Sequence, residues 1–485
     1  MMTRTDALIV GAGPVGLSLA ILLKKQSLSV RVVERRDGPQ RAPAAHVLNA
    51  RTFEIWRQCG LDVDRIRAAA QSSEDAGRVY WVDKLGGNVF GSLQYEQQGD
   101  DQLANSPTPL RNLSQHILEP MLLEEAQRAG VEVEYGVEWT PEMSSEATWL
   151  LGCDGASSAV RRSIDIEMIG PDNLQRFHMI HFRADLSSMT HQARGVLYWL
   201  CDPSIDGTLI SHGNGGEWVY MTAANDDVQR LDESDAIQRV RNVLTQPDVP
   251  MEILTISSWT MTSQIASSYR ADTTFLVGDS AHRFPPSGGM GLNSGVADAH
   301  NLAWKIGAVH HGKCDSSILA TYEPERRPVA ERNAQASLEN AFRMIEVFEA
   351  LPTGDAEMIS EAISHQATHF DMLGLQIGYR YRLTDADPEL EPLTDEVIRT
   401  YSSVAQVGKR LPHCWLVKDG HTISSLDLIP LDGYVTIGGP EALTPVDIQV
   451  GRDVEDPSNG WANALNLPPD AILTVRPDQH IESIR

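Results

Sequence analysis

The chain has 485 residues, a formal net charge of −26 and 42% hydrophobic residues. That length allows two or three domains around a substantial core, and the acidic balance argues against nucleic acid or an anionic membrane surface as a partner. Cys59, Cys153, Cys201, Cys314 and Cys414 form no CxxC pair and no His/Cys cluster, so no disulfide framework and no zinc or other metal site is expected. Residues 7–23 are almost wholly apolar, but GAGPVG interrupts them and Lys24-Lys25 ends them without a small-residue cleavage site. The stretch therefore reads as domain core rather than a signal peptide or membrane span, and a cytoplasmic protein is expected.

Residues 6–10 predict a buried first strand running into Gly11-Ala12-Gly13-Pro14-Val15-Gly16. Leu17, Ala20, Ile21 and Lys24 continue as a helix, and residues 30–33 form a second strand ending at Glu34. This is a dinucleotide fingerprint in its required setting of strand, glycine turn, helix, strand and acid. Gly11 serves the tight turn, Gly13 admits a pyrophosphate, Gly16 lets helix and strand close up, and Glu34 accepts hydrogen bonds from ribose hydroxyls. The fingerprint by itself does not choose between NAD and FAD.

An amphipathic helix closed by glycine is expected over residues 49–60. Another covers 117–129, with strands at 131–135 and 149–153 and the string CDGASSAVRRSI from Cys153 onward. Residues 170–270 carry short alternating runs, at 177–184, 195–200, 218–222 and 253–260, that read as an antiparallel sheet with a helix over 232–244 laid on it. Phe182, Trp199, Tyr220 and Trp259, with Tyr198, Trp218 and Met221, could line a pocket there; alternation sends about half of any such set to the other face.

The most organised stretch is residues 275–306. A short strand at 275–277 stops at Gly278-Asp279, Pro285 and Pro286 impose an extended connection, and Gly288, Gly289, Gly291 and Gly295 follow before a helix capped by Asn293 or Ser294. A strand end, an acid, a backbone-lined loop and a helix N-terminus make a site for a polar, partly anionic ligand. Beyond it comes Tyr322-Glu323-Pro324-Glu325-Arg326-Arg327-Pro328. Helical segments continue to about Tyr381, and strands are expected at 434–437 and 471–475.

The fingerprint, the DG string and the 275–306 stretch, in this order over nearly 300 residues, resemble the single-component FAD-dependent aromatic hydroxylases, the p-hydroxybenzoate hydroxylase-like family, in its phenol and 2,4-dichlorophenol hydroxylase branch. The resemblance implies an α/β fold: a Rossmann-like FAD-binding domain (residues 1–170 and 270–385) with an inserted antiparallel substrate sheet (171–269) and a C-terminal thioredoxin-like domain (386–485). Cys414 is the sole cysteine of that last domain, and a redox role needs two thiols, so it reads as structural or homodimer-forming. Between Gly136 and Trp149 only a dozen residues stand where relatives carry a longer excursion, so the flavin-domain meander is expected to be truncated. The resemblance also implies a helix break at residues 322–328.

The resemblance assigns FAD contact to Gly11, Gly13, Gly16, Glu34, Arg35, Arg41, Arg51, Gln115, Asp154, Arg161, Asp279, Pro286, Gly289, Gly291, Leu292 and Asn293. NADPH or NADH would reduce the flavin, O2 would form a flavin C4a-hydroperoxide, and an oxygen atom would pass to a small phenolic substrate. Pro286 would shape the wall at the ring. A base for the phenol is sought among His46, His178, His181, His212 and His282, with Arg283 as a partner for a phenolate. Rival readings keep the flavin motifs and change the outcome to epoxidation or oxidative ring opening of a polyketide or heteroaromatic compound, or to a catalytically silent flavoprotein.

Overall fold

A computed structural model describes residues 4–95, 103–202, 204–213, 216–224 and 231–485. Strand β1 (Thr5–Val10), helix α1 (Pro14–Lys25) and strand β2 (Val30–Glu34) form the first unit. Pro14 opens α1, where its missing N–H is harmless. Helices α2 (Ala50–Gln58) and α3 (Gln115–Arg128) follow, then strands β3 (Glu132–Tyr135), β4 (Ala147–Gly152) and β5 (Thr274–Leu276), and helices α4 (Met290–His310) and α5 (Tyr322–Ala350).

The five strands lie parallel in the order β5-β4-β1-β2-β3, with the short strand Arg270–Ala271 antiparallel on the β5 edge. Chain order reverses between β1 and β4, and a crevice opens at their carboxyl ends. Helices α1 and α4 cover the sheet, and α4 is buried almost all round. Its polar residues Asn293, Asp298, His300, Asn301 and Lys305 are buried with the rest, and each finds a partner. Between β3 and β4 there is only a 3-10 turn, Pro141–Glu146.

A second sheet of seven strands has the order Met251–Met261, Gln175–Ala184, Glu217–Ala223, Thr208–Ser211, Leu197–Leu200, Arg78–Val82, Val89–Gln94. Two of its strands come from residues 78–94, outside the expected 171–269, and Arg78–Val82 joins Leu197–Leu200 in parallel. Sequence alternation locates strands; it does not show that distant ones share a ladder. One face packs on the helix Glu233–Asn242 through Ile180, Phe182, Tyr198, Tyr220, Ala236 and Val240. The other packs Val79, Trp81 and Val196 against Val47, Leu110, Met344 and Phe370.

The expected break at Pro328 does not occur. Helix α5 runs through it, while the change of direction comes earlier, at the 3-10 turn Ser316–Thr321. Helix α4 likewise starts before the expected cap: Gly289, at φ +62°, is its N-cap residue. The last hundred residues build their own core around Leu411, Leu416, Ile437, Leu473, Val475 and Ile481. Its sheet orders Ile448–Gln449, Val435–Gly438, Ile472–Val475 and Ile481–Ile484.

Candidate active site

At the crevice, Gly11 adopts φ +106°, and a Cβ there would lie 2.3 Å from the Cys153 carbonyl oxygen. A Cβ on Gly16 would lie 2.0 Å from the Gly11 oxygen. Both glycines are therefore demanded by the fold itself. Gly13 differs: its backbone is extended (φ −74°, ψ 179°), and the nearest atom to a Cβ would be Glu119 Oε1 at 3.9 Å. The open space beside it is room for a ligand.

Glu34 ends β2 and accepts from Ala12 N at 2.9 Å and from Arg36 N at 3.0 Å. Burial would raise its pKa, but the Arg36 guanidinium and these N–H groups outweigh that and hold it below the usual carboxylate range. Arg36 also donates to Glu119 at 3.2 Å, and Glu119 in turn accepts from Gln40 N at 2.7 Å and from Gln115 Nε2 at 2.7 Å. The sequence marks Gln115 but gives only a slight signal for Arg36 and Glu119: a second arginine after Glu34, and a glutamate one helical turn after Gln115. Arg35 and Arg41 are exposed.

Arg51 turns away from solvent into the helix layer. It is 2% exposed and donates to Gln479 Oε1 at 2.5 Å and to the Asp478 carbonyl at 2.8 Å, with Glu54 at 3.1 Å. Its two terminal nitrogens are spent on Gln479, the Asp478 carbonyl, Glu54 and His300, which leaves only Nε without a partner among the described residues.

At the end of β4, Asp154 Oδ2 caps the helix Ala159–Ser163 by accepting from Ala159 N at 2.6 Å and Val160 N at 3.1 Å. Among the described residues its buried Oδ1 has no partner. An orphaned carboxylate oxygen at a nucleotide crevice is what a ligand hydroxyl would satisfy. Arg161 is buried and donates to the Ser280 and Ala156 carbonyls at 2.9 and 3.2 Å, so it supports the Asp279 turn from behind. Arg283 donates to the same Ala156 carbonyl and to Gln264 Oε1 at 3.0 Å. These bonds tie its terminal nitrogens to the DG loop and Gln264, and its Nε has no partner among the described residues. Asp279 is exposed, and the protein packed around it raises its pKa by desolvation, with His282 and Arg283 opposing.

The loop after Pro286 turns through Gly289 N donating to the Pro286 carbonyl at 3.0 Å. Pro286 itself is exposed. A Cβ on Gly288 or Gly289 would collide with Met372 or Val47, whereas one on Gly291 would meet only Asp279 Oδ1, at 3.7 Å. The N–H groups at the start of α4 thus border open space beside Asp279. Leu292 is 9% exposed. The Asn293 side chain is fully occupied: Oδ1 accepts from Asn49 N (3.0 Å) and Thr52 Oγ1 (2.7 Å), and Nδ2 donates to the Val47 and Gly289 carbonyls (2.9 and 2.7 Å). It staples the loop to α2 and has no atom left for a ligand.

The candidate bases separate clearly. His282 bonds Asp298 at 2.6 Å, deep behind the loop, and Arg326 holds the other Asp298 oxygen at 2.7 Å. His178 bonds Ser258 at 2.9 Å, and His181 meets Glu217 at 3.2 Å. His46 and His212, 166 positions apart, come together with ring centroids 5.5 Å apart at 84°. Burial pushes His46 down to about 4, and burial with the neighbouring histidines holds His212 well below the ordinary value. Both are therefore neutral at pH 7, with ring nitrogens that accept a hydrogen bond more readily than a proton.

Of the aromatic candidates, Phe182 and Tyr220 point into the helix-side core, and Tyr220 donates to the Asp206 carbonyl at 2.7 Å. They are corrections, removed from any pocket on the flavin side by the strand alternation. Trp199 lies on the face that meets Val47, 6.2 Å from His369. Trp259 stacks on Phe177 at 5.1 Å.

A family model described as "FAD binding domain" matches residues 4–337. The chain belongs to this FAD-binding family. It is 30% identical over 524 residues to a putative polyketide hydroxylase of Streptomyces halstedii, covering 98% of this chain and 92% of that one. It is 26% identical over 556 residues to 2,4-dichlorophenol 6-monooxygenase of Delftia acidovorans, covering 99% and 94%. Among solved structures, the flavin-dependent monooxygenase PieE in complex with FAD and substrate aligns over 99% of this chain and 96% of that one, with a TM-score of 0.89 at 27% identity. The flavoprotein is an oxidoreductase of the FAD-dependent aromatic hydroxylase family, a monooxygenase with the mixed α/β fold of that class. The glycine cradle, Glu34 at the end of β2 and the orphaned Asp154 oxygen fit FAD in the crevice.

Proposed function

We propose that this flavoprotein hydroxylates a phenolic ring, using NADH or NADPH and O2. The observation that carries the reading is the neutral His46–His212 pair. His46 precedes Val47, and Val47 packs on the flavin-loop glycine Gly289. Bound FAD, reduced by NADH or NADPH, would activate O2, so that one oxygen atom goes to the ring and the other leaves as water. The chain's residues do the rest. Glu34 and Asp154 accept hydroxyl hydrogen bonds, and the first N–H groups of α4 stabilise negative charge beside Asp279. The neutral His46–His212 pair accepts a hydrogen bond from the phenolic O–H, which raises electron density on the ring where oxygen is added. Trp199 and the Val47 face close the site against water.

A polycyclic polyketide phenol is the second reading for the substrate, favoured by the polyketide hydroxylase among the relatives. The C-terminal module, which resembles a thioredoxin-like domain, is assigned a structural role. Burial pushes its single thiol, Cys414, up to about 12, too high for a thiolate exchange centre.

The test is NAD(P)H oxidation by purified holoprotein across simple and polycyclic phenols, with product mass analysed after reaction under labelled O2. Stimulated oxidation with one labelled oxygen in the ring supports the reading. Oxidation that yields hydrogen peroxide alone with every phenol, or epoxide and ring-opened products instead, would overturn it.

A further inference from the structure

Two of the acceptors that hold the buried Arg51 lie in the last turn of the chain. Residues 476–480 form the tip of the final hairpin and press into the three helices behind the flavin loop. Arg51 of α2 donates to the Asp478 carbonyl and Gln479 Oε1. Gln58, two turns on, donates to the Pro477 carbonyl at 2.9 Å. From α4, Asn301 donates to Asp478 Oδ2 at 3.0 Å, and His300 receives Arg51 at Nδ1 (3.2 Å) and donates through Nε2 to Gln58 Oε1 (2.7 Å). From α5, Glu325 pairs with Arg476 at 2.6 Å. The tip is 1–2% exposed at Arg476, Asp478 and Gln479.

Charge pairing alone does not explain Arg51. Glu54 is already held by Arg410 at 2.7 and 2.8 Å, and Arg51 Nε is buried with no partner among the described residues. A buried guanidinium with one orphaned donor is an expensive way to fill space. What it does supply is direction, since its fork reaches two oxygens of one turn. Gln479 is held at φ +65°, a left-handed conformation unusual for so long a side chain and maintained here by its contacts.

We propose that this hairpin tip is a remote part of the flavin site and that Arg51 is a positioning residue. The tip fixes Arg51, Arg51 fixes the first turn of α2, and the α2 cap fixes the flavin loop. The last link is Asn293 Oδ1, which receives both Asn49 N and Thr52 Oγ1 on either side of Arg51 in sequence. The chain's end thereby sets the geometry of the N–H groups that meet the cofactor, and the inference rests on FAD occupying the crevice.

The test uses full-length holoprotein with Gln479→Asn, whose short amide tolerates φ +65° but cannot reach Arg51, and Gln479→Glu, which keeps the reach and an acceptor. FAD affinity, the visible flavin bands and apoprotein melting are measured together. The expected result for Gln479→Asn is FAD affinity reduced by about tenfold, shifted flavin bands and apoprotein melting close to the parent, with Gln479→Glu restoring both flavin readouts. Arg51→Lys, which keeps the charge and loses the fork, should reproduce the Asn phenotype. Unchanged bands and affinity in Gln479→Asn overturn the proposal. So does a loss of melting temperature that accounts for the weaker binding and that Gln479→Glu does not reverse. A parent protein that binds no FAD would instead remove the reading of the crevice on which the proposal stands.

Discussion

Gly11 and Cys153 meet so closely across the crevice that no side chain fits between them, while Gly13, two residues on, faces open space. The two glycines should therefore fail in different ways. Gly11→Ala forces a Cβ into the Cys153 carbonyl and places alanine at φ +106°. The backbone term alone costs about 1–3 kcal/mol, so the apoprotein should melt lower as well as lose FAD. Gly13→Ala should leave apoprotein melting unchanged, or raise stability by roughly 0.4–1 kcal/mol, yet abolish flavin binding. Paired melting curves and flavin content check this; a yellow Gly13→Ala protein would sink the assignment of that space to the cofactor.

Asp279 gives a prediction in pH. Desolvation raises its pKa, with His282 and Arg283 opposing. The folded apoprotein therefore holds this proton more tightly than the unfolded chain. The contribution favours folding below the ordinary Asp range, about pH 4, and is lost as pH rises through the raised value. Asp279→Asn should remove that loss, so apoprotein urea midpoints become higher and flatter above this range. The same substitution should weaken FAD binding, because the carboxylate beside the Gly291 N-terminus is gone. Urea titrations of both proteins across this range, with and without FAD, check both signs.

Sequence distance decides how much of this fold and site is legible in the chain alone. The β1–Gly11–α1–β2–Glu34 unit is legible because its spacing from strand to acid is local, although the carbonyl that closes on Gly11 comes from distant Cys153. The roles of Arg51 and Asn293 are not, because their partners lie 428 and 244 positions away. Both look like ligand residues in a motif and act as fasteners. Pro328 misleads for a different reason: proline disfavours a helix interior, but α5 has enough packed length on either side to carry it. The joining of residues 78–94 to the second sheet has no local signal at all.

Acid should unfold the protein through buried carboxylates. Burial would raise Glu54, but Arg410, Arg51 and the Ser106 hydroxyl bring it down from 4.5 to about 2. A depressed carboxyl stabilises the fold above its unfolded pKa, and that contribution, on the order of 3 kcal/mol, is lost as pH falls from about 4.5 towards 2. Glu54→Gln should flatten the pH dependence in this window. At pH 7 it should also destabilise by about 3–5 kcal/mol, since Arg410 is left buried and unpaired. Replacing Glu54 and Arg410 together with methionine should cost less than Glu54→Met alone, as read from urea midpoints in a double-mutant cycle.

The two faces of the seven-stranded sheet make the last prediction. Alternation groups Phe182 with Ile180 and Trp199 with Leu197, but carries no phase that says which group looks at the flavin. Packing supplies the phase, because Phe182 is fully buried against the helix Glu233–Asn242 while Trp199 shares the Val47 face beside Gly289. Phe182→Ala should cost about 3–5 kcal/mol and leave the phenol KM unchanged in the protein that remains folded. Trp199→Ala should do the reverse, with modest loss of stability, a raised phenol KM and more hydrogen peroxide per NAD(P)H oxidised as water reaches the site. Steady-state kinetics with peroxide measurement on both variants distinguish the faces. A raised KM for Phe182→Ala with an unaffected Trp199→Ala would mean that the substrate binds on the helix side of the sheet.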